Sequence, residues 1–160
     1  NGTQINFRPI HPTDEPNIRD LFYALSQETI YYRFMTHMKR LPSKEIQNFV
    51  FINHRSDIVI VGTVPEAYGD EIVAIGRYFL NPTTNMAEVA FIVRDDWQNR
   101  GIGSFMLKHL SNIARHNGIR GFTAEVLHAN KAMQSVIHKC EYTVTSEPHE
   151  DVVSFTIEFS

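Results

Sequence analysis

A single carboxylate stands in an otherwise apolar stretch of the chain. Glu88 is the only charged residue of the segment MAEVAFIV, Met86–Val93. Because a strand alternates between two faces and both faces are apolar here, we expect little water around this side chain. Burial disfavours the charged form of a carboxyl group and raises its pKa towards the range in which it accepts a proton near pH 7. Glu88 is therefore a candidate general base, and the alternative is a carboxylate paired with a nearby arginine such as Arg77.

A glycine turn follows this stretch and opens a segment with helical spacing. Gly101 and Gly103 stand at its start, where unpaired N–H groups and the positive end of the helix dipole hold anions. Glycine also lets a phosphate approach the backbone without a Cβ in the way. No lysine follows Gly103 as a Walker loop requires, and Met106 stands where a dinucleotide fingerprint needs its third glycine. The remaining pattern is Gln98 followed by the two glycines, and its alternative is a tight strand–helix turn that binds nothing.

Elements that would position these residues can be predicted along the whole chain. Apolar residues at helical spacing, with Ser26 and Ser43 as candidate N-caps, give way to alternating segments separated by turn-rich sequences. The predicted elements are strand 4–10, helices 12–25, 26–34 and 43–52, an antiparallel meander of strands 57–64, 71–80 and 86–93, helix 101–117 ending at Gly118, strand 121–127, helix 130–140, and a hairpin of strands 142–146 and 151–159. The predicted buried stripe of the long helix is Ile102, Phe105, Met106, His109, Leu110 and Ile113. This order predicts an α/β (α+β) fold with helices packed on one mixed, mostly antiparallel sheet of about six or seven strands.

Composition indicates an ordinary globular protein of one domain. The chain has 160 residues, of which 42% are hydrophobic and 21% charged, and we expect residues 1–160 to form a single domain. The net charge of −3 offers no basic field for nucleic acid or a membrane surface. The single cysteine, Cys140, excludes an internal disulfide and favours a cytoplasmic location. The eight histidines show no metal-ligand spacing, so we expect no metal. The chain begins at Asn1 without an initiator methionine, and we expect it to be a domain of a longer protein.

The junction VRDDWQNRGIG, together with the element order and with Asn130 at the head of the last helix, resembles the GNAT superfamily of acyl-CoA-dependent N-acyltransferases. The resemblance covers nearly the whole chain. Four stretches are similar to the GNAT domain of bacterial protein lysine acetyltransferases of the Pat type, namely FRPIHPTDE, YYRF, AEVAFIVRDDWQNRGIG and NKAM. Such domains often occur beside an acyl-CoA-synthetase-like or a nucleotide-sensing domain. The resemblance implies a GNAT-type sheet with splayed central strands.

The resemblance also implies a binding site for acetyl-CoA as co-substrate. Its pyrophosphate would lie on backbone N–H groups of residues 100–104, and its pantetheine arm would pair with the edge of the strand 86–93 as an added strand does. Asn130 would contact the arm from the far side, unless it serves only as the N-cap of the last helix. The implied set is Phe91, Val93, Gln98, Arg100, Gly101, Ile102, Gly103, Ser104 and Asn130. The side chains of Arg100 and Lys108 could reach CoA phosphates, or could simply be solvated.

In protein-acetylating members of this family a glutamate on the same strand is the general base, which implies that role for Glu88. Lysine has an unperturbed pKa of about 10.4, so only about one amine in 2,500 is a free nucleophile at pH 7 without such help. Ile137 stands where many small-molecule members carry a tyrosine acid. The resemblance therefore implies that water or Glu88 protonates the leaving thiolate, whereas Tyr142 is expected in the core and His138 on the surface.

The predicted reaction is direct attack of a primary amine on acetyl-CoA in a ternary complex. The expected acceptor is a lysine side chain of a protein, and the resemblance suggests an acyl-CoA synthetase as one such partner. A small-molecule amine or a peptide N-terminus is the alternative acceptor, and a non-catalytic acyl-CoA-sensing module is the alternative function. Tyr31 and Tyr32 could dock a protein substrate or belong to an amphipathic stripe, and Phe34 is expected in the core.

Overall fold

Seven strands and four helices make up most of the chain that the computed structural model describes, which is residues 4–34, 57–66 and 69–159. The strands are β1 Asn6–Pro9, β2 Asp57–Glu66, β3 Gly69–Asn81, β4 Met86–Val93, β5 Gly121–Leu127, β6 Thr143–His149 and β7 Val152–Glu158. The helices are α1 Glu15–Tyr23, α2 Gln27–Phe34, α3 Ile102–His116 and α4 Lys131–His138, with short 3-10 turns at Pro12–Asp14 and Asp95–Trp97. The predicted helix 43–52, its cap Ser43, and the side chains of Tyr31, Tyr32 and Phe34 lie outside the described part.

All seven strands join one sheet in the order β1-β2-β3-β4-β5-β7-β6. The predicted meander is confirmed, because β2, β3 and β4 pair antiparallel in sequence order. Only β4 and β5 run parallel, and their ladder covers just Met86–Glu88 against Gly121–Thr123. Beyond this short ladder the two strands separate, while β5 continues to pair with β7 along its whole length. The sheet is therefore continuous at one end of β4 and open at the other.

Helices cover both faces of this sheet and form two apolar cores. On one face α3 packs on the sheet through side chains such as Met106 and Leu110, which belong to the same buried cluster as Tyr78 and Phe122. On the other face α1 and α2 pack on β2, β3 and Ile92 of β4. Each fully buried side chain of this size contributes about 1.5–3 kcal/mol relative to exposure. The two cores hold β4 from both sides and fix the strand that carries the lone glutamate.

The buried stripe of α3 differs in part from the prediction. Ile102, Met106 and Leu110 are buried as predicted, but Phe105 is 48% exposed and its predicted burial is wrong. The ring of Phe105 lies at the margin of the helix, 4.6 Å from Phe7 and 5.9 Å from His109 between centroids. The residues that complete the buried face are instead Leu107, Ser111 and Ala114, whereas His109 and Ile113 are half-buried. The helix is thus rotated towards its small residues, which allow closer contact with the sheet.

The helix ends follow the predicted signals. The Oγ of Ser26 accepts a hydrogen bond from the Thr29 N–H at 3.1 Å, which confirms Ser26 as the cap of α2. Gly118 follows α3 with a φ of 80°, the left-handed conformation expected after a helix. In the described part of the chain, none of the helices combines the length and apolarity that a membrane crossing requires.

Arg8 and Asp14 connect the first strand to the start of α1. The guanidinium of Arg8 donates to both carboxylate oxygens of Asp14, at 2.8 and 2.9 Å, and the His11 N–H donates to Oδ2 at 2.8 Å. Asp14 is only 3% exposed. Burial raises the pKa of its carboxyl, but the hydrogen bonds from Arg8 and His11 outweigh burial and hold the pKa below its usual value. The pair is part of the framework rather than of the cleft described next.

Candidate active site

A cleft of about 920 Å³ opens where β4 and β5 separate. It is bounded by β4, by the turn before α3, by β5, by α4 and by the first turn of α2. Every predicted site residue except Arg100 lines this cleft: Glu88, Phe91, Val93, Gln98, Gly101, Ile102, Gly103, Ser104 and Asn130. Residues more than 40 positions apart in sequence, such as Glu88 and Asn130, therefore meet at one opening of the sheet.

The turn before α3 presents backbone donors to the cleft. The first helical hydrogen bond runs from the Phe105 N–H to the Gly101 carbonyl at 3.0 Å. The N–H groups of Ile102, Gly103 and Ser104 precede that bond and have no acceptor within the helix. No side-chain cap takes them up, since the N-cap residue is Gly101 itself. This arrangement of donors at a positive helix end suits an anion such as a pyrophosphate.

The two glycines of the turn have different reasons to be glycine. Gly101 has a φ of 83°, a left-handed conformation that costs other residues about 1–2 kcal/mol. A Cβ on Gly103 would lie 3.5 Å from Cγ2 of Val136, an ordinary contact. A tight turn without a ligand therefore explains Gly101 but gives no reason for Gly103. A bare backbone at Gly103 is what the close approach of a ligand would require.

The edge of β4 faces the open side of the cleft. The Arg94 N–H donates to the Val73 carbonyl of β3 at 2.8 Å. Since backbone groups alternate along a strand, those of Phe91 and Val93 point away from β3 and towards the gap. The ladder with β5 has already ended at Glu88 and Thr123. This stretch of β4 is thus an edge to which an extended chain of amides can add.

Gln98 closes the turn between β4 and α3. Its Nε2 donates to the Val93 carbonyl at 3.0 Å and to Oγ1 of Thr29 in α2 at 3.2 Å. The residue therefore shapes the turn and also links it to α2. Thr29 and its neighbour Glu28 line the cleft, although sequence reasoning did not select them. Only the fold brings α2 to this junction.

For the side chains of Arg100 and Lys108 the sequence left two alternatives, contact with CoA phosphates or exposure to solvent, and both residues are exposed. The guanidinium of Arg100 lies 4.8 Å from the ring centroid of Trp97, and Arg100 is not among the cleft-lining residues. Lys108 is exposed on α3 and lies outside the cleft lining as well. Lys131 and Lys139 do line the cleft. The sequence contained a signal for Lys131, because this residue directly follows the predicted site residue Asn130 in the stretch NKAM.

Asn130 is the N-cap of α4. Its Oδ1 accepts a hydrogen bond from the Met133 N–H at 3.2 Å. The capping function that was the alternative for Asn130 is therefore present. Its amide Nδ2 takes no part in this bond, and the residue lines the cleft, so a ligand contact through the donor remains a prediction.

Glu88 is the last β4 residue of the parallel ladder, at the point where the cleft begins. Its side chain is exposed, so the prediction that little water surrounds it is wrong. The prediction rested on the apolar residues on both faces of the strand, but β5 pairs with β4 only as far as Glu88 and then separates from it. Among the described residues the carboxylate has no ion-pair or hydrogen-bond partner, and the guanidinium of Arg77 lies over the Phe79 ring at 3.8 Å. A structural ion pair with Arg77 is thus not what holds Glu88.

A second cavity of about 580 Å³ also borders Glu88. Its lining is largely apolar and includes Phe79, Leu80, Pro82 and Met86. Glu88 lines both cavities. The Glu88 carboxylate can therefore be reached from both cavities.

The positions considered for protonation of the leaving thiolate are 137, 138 and 142. Ile137, in place of a tyrosine, is 1% exposed and lines the cleft. Tyr142 packs against the Phe159 ring at 5.1 Å, away from the cleft lining, and its hydroxyl accepts a bond from Arg115 at 3.4 Å. His138 is exposed on α4. In residues 4–34, 57–66 and 69–159, no cluster of three His, Cys, Asp or Glu residues could hold a metal ion.

Known proteins resemble this chain in sequence and in fold. The acetyltransferase Pat of Mycolicibacterium smegmatis is 32% identical over 139 residues, which is 86% of this chain and 41% of that protein. An acetyltransferase of Pseudomonas aeruginosa is 27% identical over 135 residues, 84% of this chain and 73% of that protein. The crystal structure of the GNAT domain of S. lividans PAT has a TM-score of 0.87 and 31% identity, and the match covers 97% of this chain and 90% of that one. This chain thus spans about two fifths of the length of the Pat relative.

The family model of the acetyltransferase (GNAT) family matches residues 19–142. That span includes β4, the glycine turn, α3, β5 and α4, which together form the cleft. The chain therefore belongs to the acetyltransferase (GNAT) family.

Proposed function

We propose that this chain transfers an acetyl group from acetyl-CoA to a primary amine, with both substrates bound at once. The observation that carries the proposal is the convergence at one cleft of a bare helix turn, an open strand edge and a glutamate that has no partner among the described residues. Membership of the acetyltransferase (GNAT) family supports the same reaction. The single cysteine fits a reducing, cytoplasmic compartment, which we include in the proposal.

Acetyl-CoA would lie along the cleft with its phosphates at α3. The N–H groups of residues 102–104 would bind the pyrophosphate, and the nearby ammonium groups of Lys131 and Lys139 would add favourable charge. The pantetheine amides would bond with the main chain of Phe91 and Val93, as an added strand does. This path brings the thioester to the point where β4 and β5 separate. Glu88 is at that point.

Glu88 would act as the general base. The ammonium group first loses one proton to solvent, and the free amine nitrogen attacks the thioester carbonyl carbon. As the N–C bond forms, the carboxylate takes the second proton from nitrogen, directly or through one water. The C–S bond then breaks, and the CoA thiolate takes its proton from water or from the protonated Glu88. Because Glu88 is exposed, the surroundings that exclude water would form only when both substrates fill the two cavities.

The acceptor we propose is a lysine side chain of a protein. The second cavity beside Glu88 is largely apolar, which suits the four methylene groups of lysine, while the ammonium end would meet the carboxylate. The resemblance of the sequence to protein lysine acetyltransferases of the Pat type supports this choice and includes an acyl-CoA synthetase as a protein substrate, and the chain is 32% identical to an acetyltransferase named Pat. A small-molecule amine or a peptide N-terminus is the second candidate. A module that only senses acyl-CoA would have no use for the free carboxylate at the thioester.

A panel assay of thiol release from acetyl-CoA tests this proposal. The panel contains an acyl-CoA synthetase, unrelated lysine-rich proteins, polyamines and a peptide with a free N-terminus, and mass spectrometry locates the acetyl group. We expect thiol release with a protein and an acetylated lysine in it. Release with small amines alone would contradict the protein acceptor. Binding of acetyl-CoA without release for any acceptor would contradict catalysis.

A further inference from the structure

Hydrogen bonds through Asp95 join α2 to the turn that precedes α3. Its Oδ1 accepts from the Ser26 N–H at 3.0 Å, and its Oδ2 accepts from the Thr29 hydroxyl at 3.1 Å. The partners are 69 and 66 positions away in sequence. Asp95 therefore binds the first turn of α2, which contributes Glu28 and Thr29 to the cleft.

The bonds of Thr29 have only one consistent direction. A hydroxyl has one hydrogen to donate and two lone pairs, and a carboxylate can only accept. The Thr29 hydrogen must therefore go to Asp95. The same oxygen then accepts from Nε2 of Gln98 at 3.2 Å and from Oγ of Ser26 at 3.1 Å, so both of its lone pairs are used.

This direction fixes the amide of Gln98. Thr29 can accept but not donate towards Gln98, so Gln98 must present Nε2 rather than Oε1. Its second Nε2 hydrogen goes to the Val93 carbonyl at 3.0 Å. An uncharged amide at position 95 could donate to Thr29, whose hydrogen would then be free to turn to Oε1 of Gln98. In the reversed arrangement Gln98 can no longer donate to Val93.

We propose that Asp95 is a positioning residue that acts through Thr29 and Gln98 on the β4 edge and the turn that receive acyl-CoA. The inference rests on the proposed function for its acetyl-CoA readout. Asp95 does not line the cleft, so its effect on the cleft passes through the residues that its carboxylate binds. Through these bonds Asp95 keeps the first turn of α2 at a fixed position relative to the β4 edge and the turn before α3.

Asp96 is a matched control for Asp95. It belongs to the same 3-10 turn and carries the same charge, but its carboxylate accepts from Arg94 at 2.7 and 3.1 Å. Arg94 in turn donates to Glu71 of β3 at 2.9 Å. Asp96 is thus tied to β3 and β4 and makes no described bond to α2. Loss of its charge leaves the Thr29–Gln98 pair intact.

The test is the dissociation constant for acetyl-CoA, measured by titration calorimetry on Asp95→Asn, Asp96→Asn, Thr29→Val and Thr29→Ser. We expect Asp95→Asn and Thr29→Val each to weaken binding about tenfold, as the loss of a charge-assisted hydrogen bond does. The dissociation constants of Asp96→Asn and Thr29→Ser should stay within about twofold of wild type, because both variants keep a hydroxyl at position 29 and its bond to Asp95. The double variant Asp95→Asn with Thr29→Val should be no weaker than the weaker single variant, since both changes break one pathway.

Several outcomes would overturn the positioning role. These are wild-type affinity in Asp95→Asn, equal losses in Asp95→Asn and Asp96→Asn, and additive losses in the double variant. A lower melting temperature of Asp95→Asn with unchanged affinity for acetyl-CoA would show that Asp95 only stabilises the fold. That result would overturn the positioning role too. If Asp95→Asn fails to fold, the contrast between Thr29→Val and Thr29→Ser carries the test alone. Failure of wild-type protein to bind acetyl-CoA would instead overturn the proposed function.

Discussion

At the scale of single residues, the position of Glu88 is set by where the β4–β5 ladder ends. The sequence pattern identified this residue, because one carboxylate in an apolar strand is conspicuous. The family resemblance predicted splayed central strands, but the residue at which β4 and β5 separate could not be predicted, because it depends on contacts between segments more than 30 positions apart. An exposed carboxylate can still take a proton from a bound amine. The substrates rather than the free protein would then exclude water from it.

A second residue-scale feature, the Arg8–Asp14 pair, makes stability depend on pH. The pKa of the Asp14 carboxyl is held below its usual value, so the unfolded state binds the proton more tightly than the folded state. The stabilisation is therefore present above the usual carboxyl pKa of about 4 and is lost as pH falls through the lower pKa of the folded state. We expect Asp14→Asn to reduce the unfolding free energy by about 2 kcal/mol at pH 7, measured by urea denaturation. The difference from wild type should shrink below about pH 4, and a constant difference down to pH 2 would contradict the assignment.

At the scale of elements, the turn before α3 was the most predictable part of the site. Its glycines, Gln98 and the helical spacing after them are local signals, and local geometry follows from local sequence. The burial of α3 was less predictable, because hydrophobic residues alone suggested that Phe105 faces the core. Leu107, Ser111 and Ala114 are buried instead, because the small side chains of Ser111 and Ala114 permit close packing and the Phe105 ring packs against Phe7 at the margin.

The two glycines of the turn give an element-scale prediction. Gly101→Ala should lower the unfolding free energy by about 1–2 kcal/mol because of its positive φ. Gly103→Ala should not destabilise the fold, because its Cβ meets only an ordinary contact. Gly103→Val should fold and yet bind acetyl-CoA at least about tenfold more weakly, because the branched side chain covers the backbone donors.

Thermal unfolding and titration calorimetry on the same three glycine variants provide the measurements. Gly103→Ala serves as the control for the fold at position 103. If Gly103→Val folds and binds acetyl-CoA as wild type does, the pyrophosphate does not lie on this turn.

At the scale of the whole molecule, two helical layers pack on a sheet in which β4 and β5 pair over only three residues. The meander β2–β3–β4 and the strand–helix alternation after it could be predicted from periodicity and turns. The pairing order β5–β7–β6 and the length of the parallel ladder could not, because they depend on contacts between distant segments. A sheet with such a gap lacks backbone partners that a bound extended ligand would supply.

A ligand that fills this gap should stabilise the whole fold. Acetyl-CoA present at about 100 times its dissociation constant should add about 2.7 kcal/mol to the free energy of unfolding. Differential scanning fluorimetry across a concentration series measures the rise in melting temperature. CoA should stabilise similarly, and adenosine, which lacks both pyrophosphate and pantetheine, should stabilise much less. A melting temperature that does not change with acetyl-CoA would contradict a binding site in the cleft.

The central claim is that the glutamate at the strand separation takes the proton of the attacking amine. The most direct measurement is steady-state turnover of Glu88→Gln with an accepted amine substrate, alongside calorimetric affinity for acetyl-CoA. Glu125→Gln is the matched control, because Glu125 is an exposed glutamate that lines the same cleft from β5. We predict that Glu88→Gln binds acetyl-CoA as wild type does while turnover falls about 100-fold or more, and that Glu125→Gln stays within about threefold of wild type. Unchanged turnover in Glu88→Gln, or an equal fall in both variants, would contradict it.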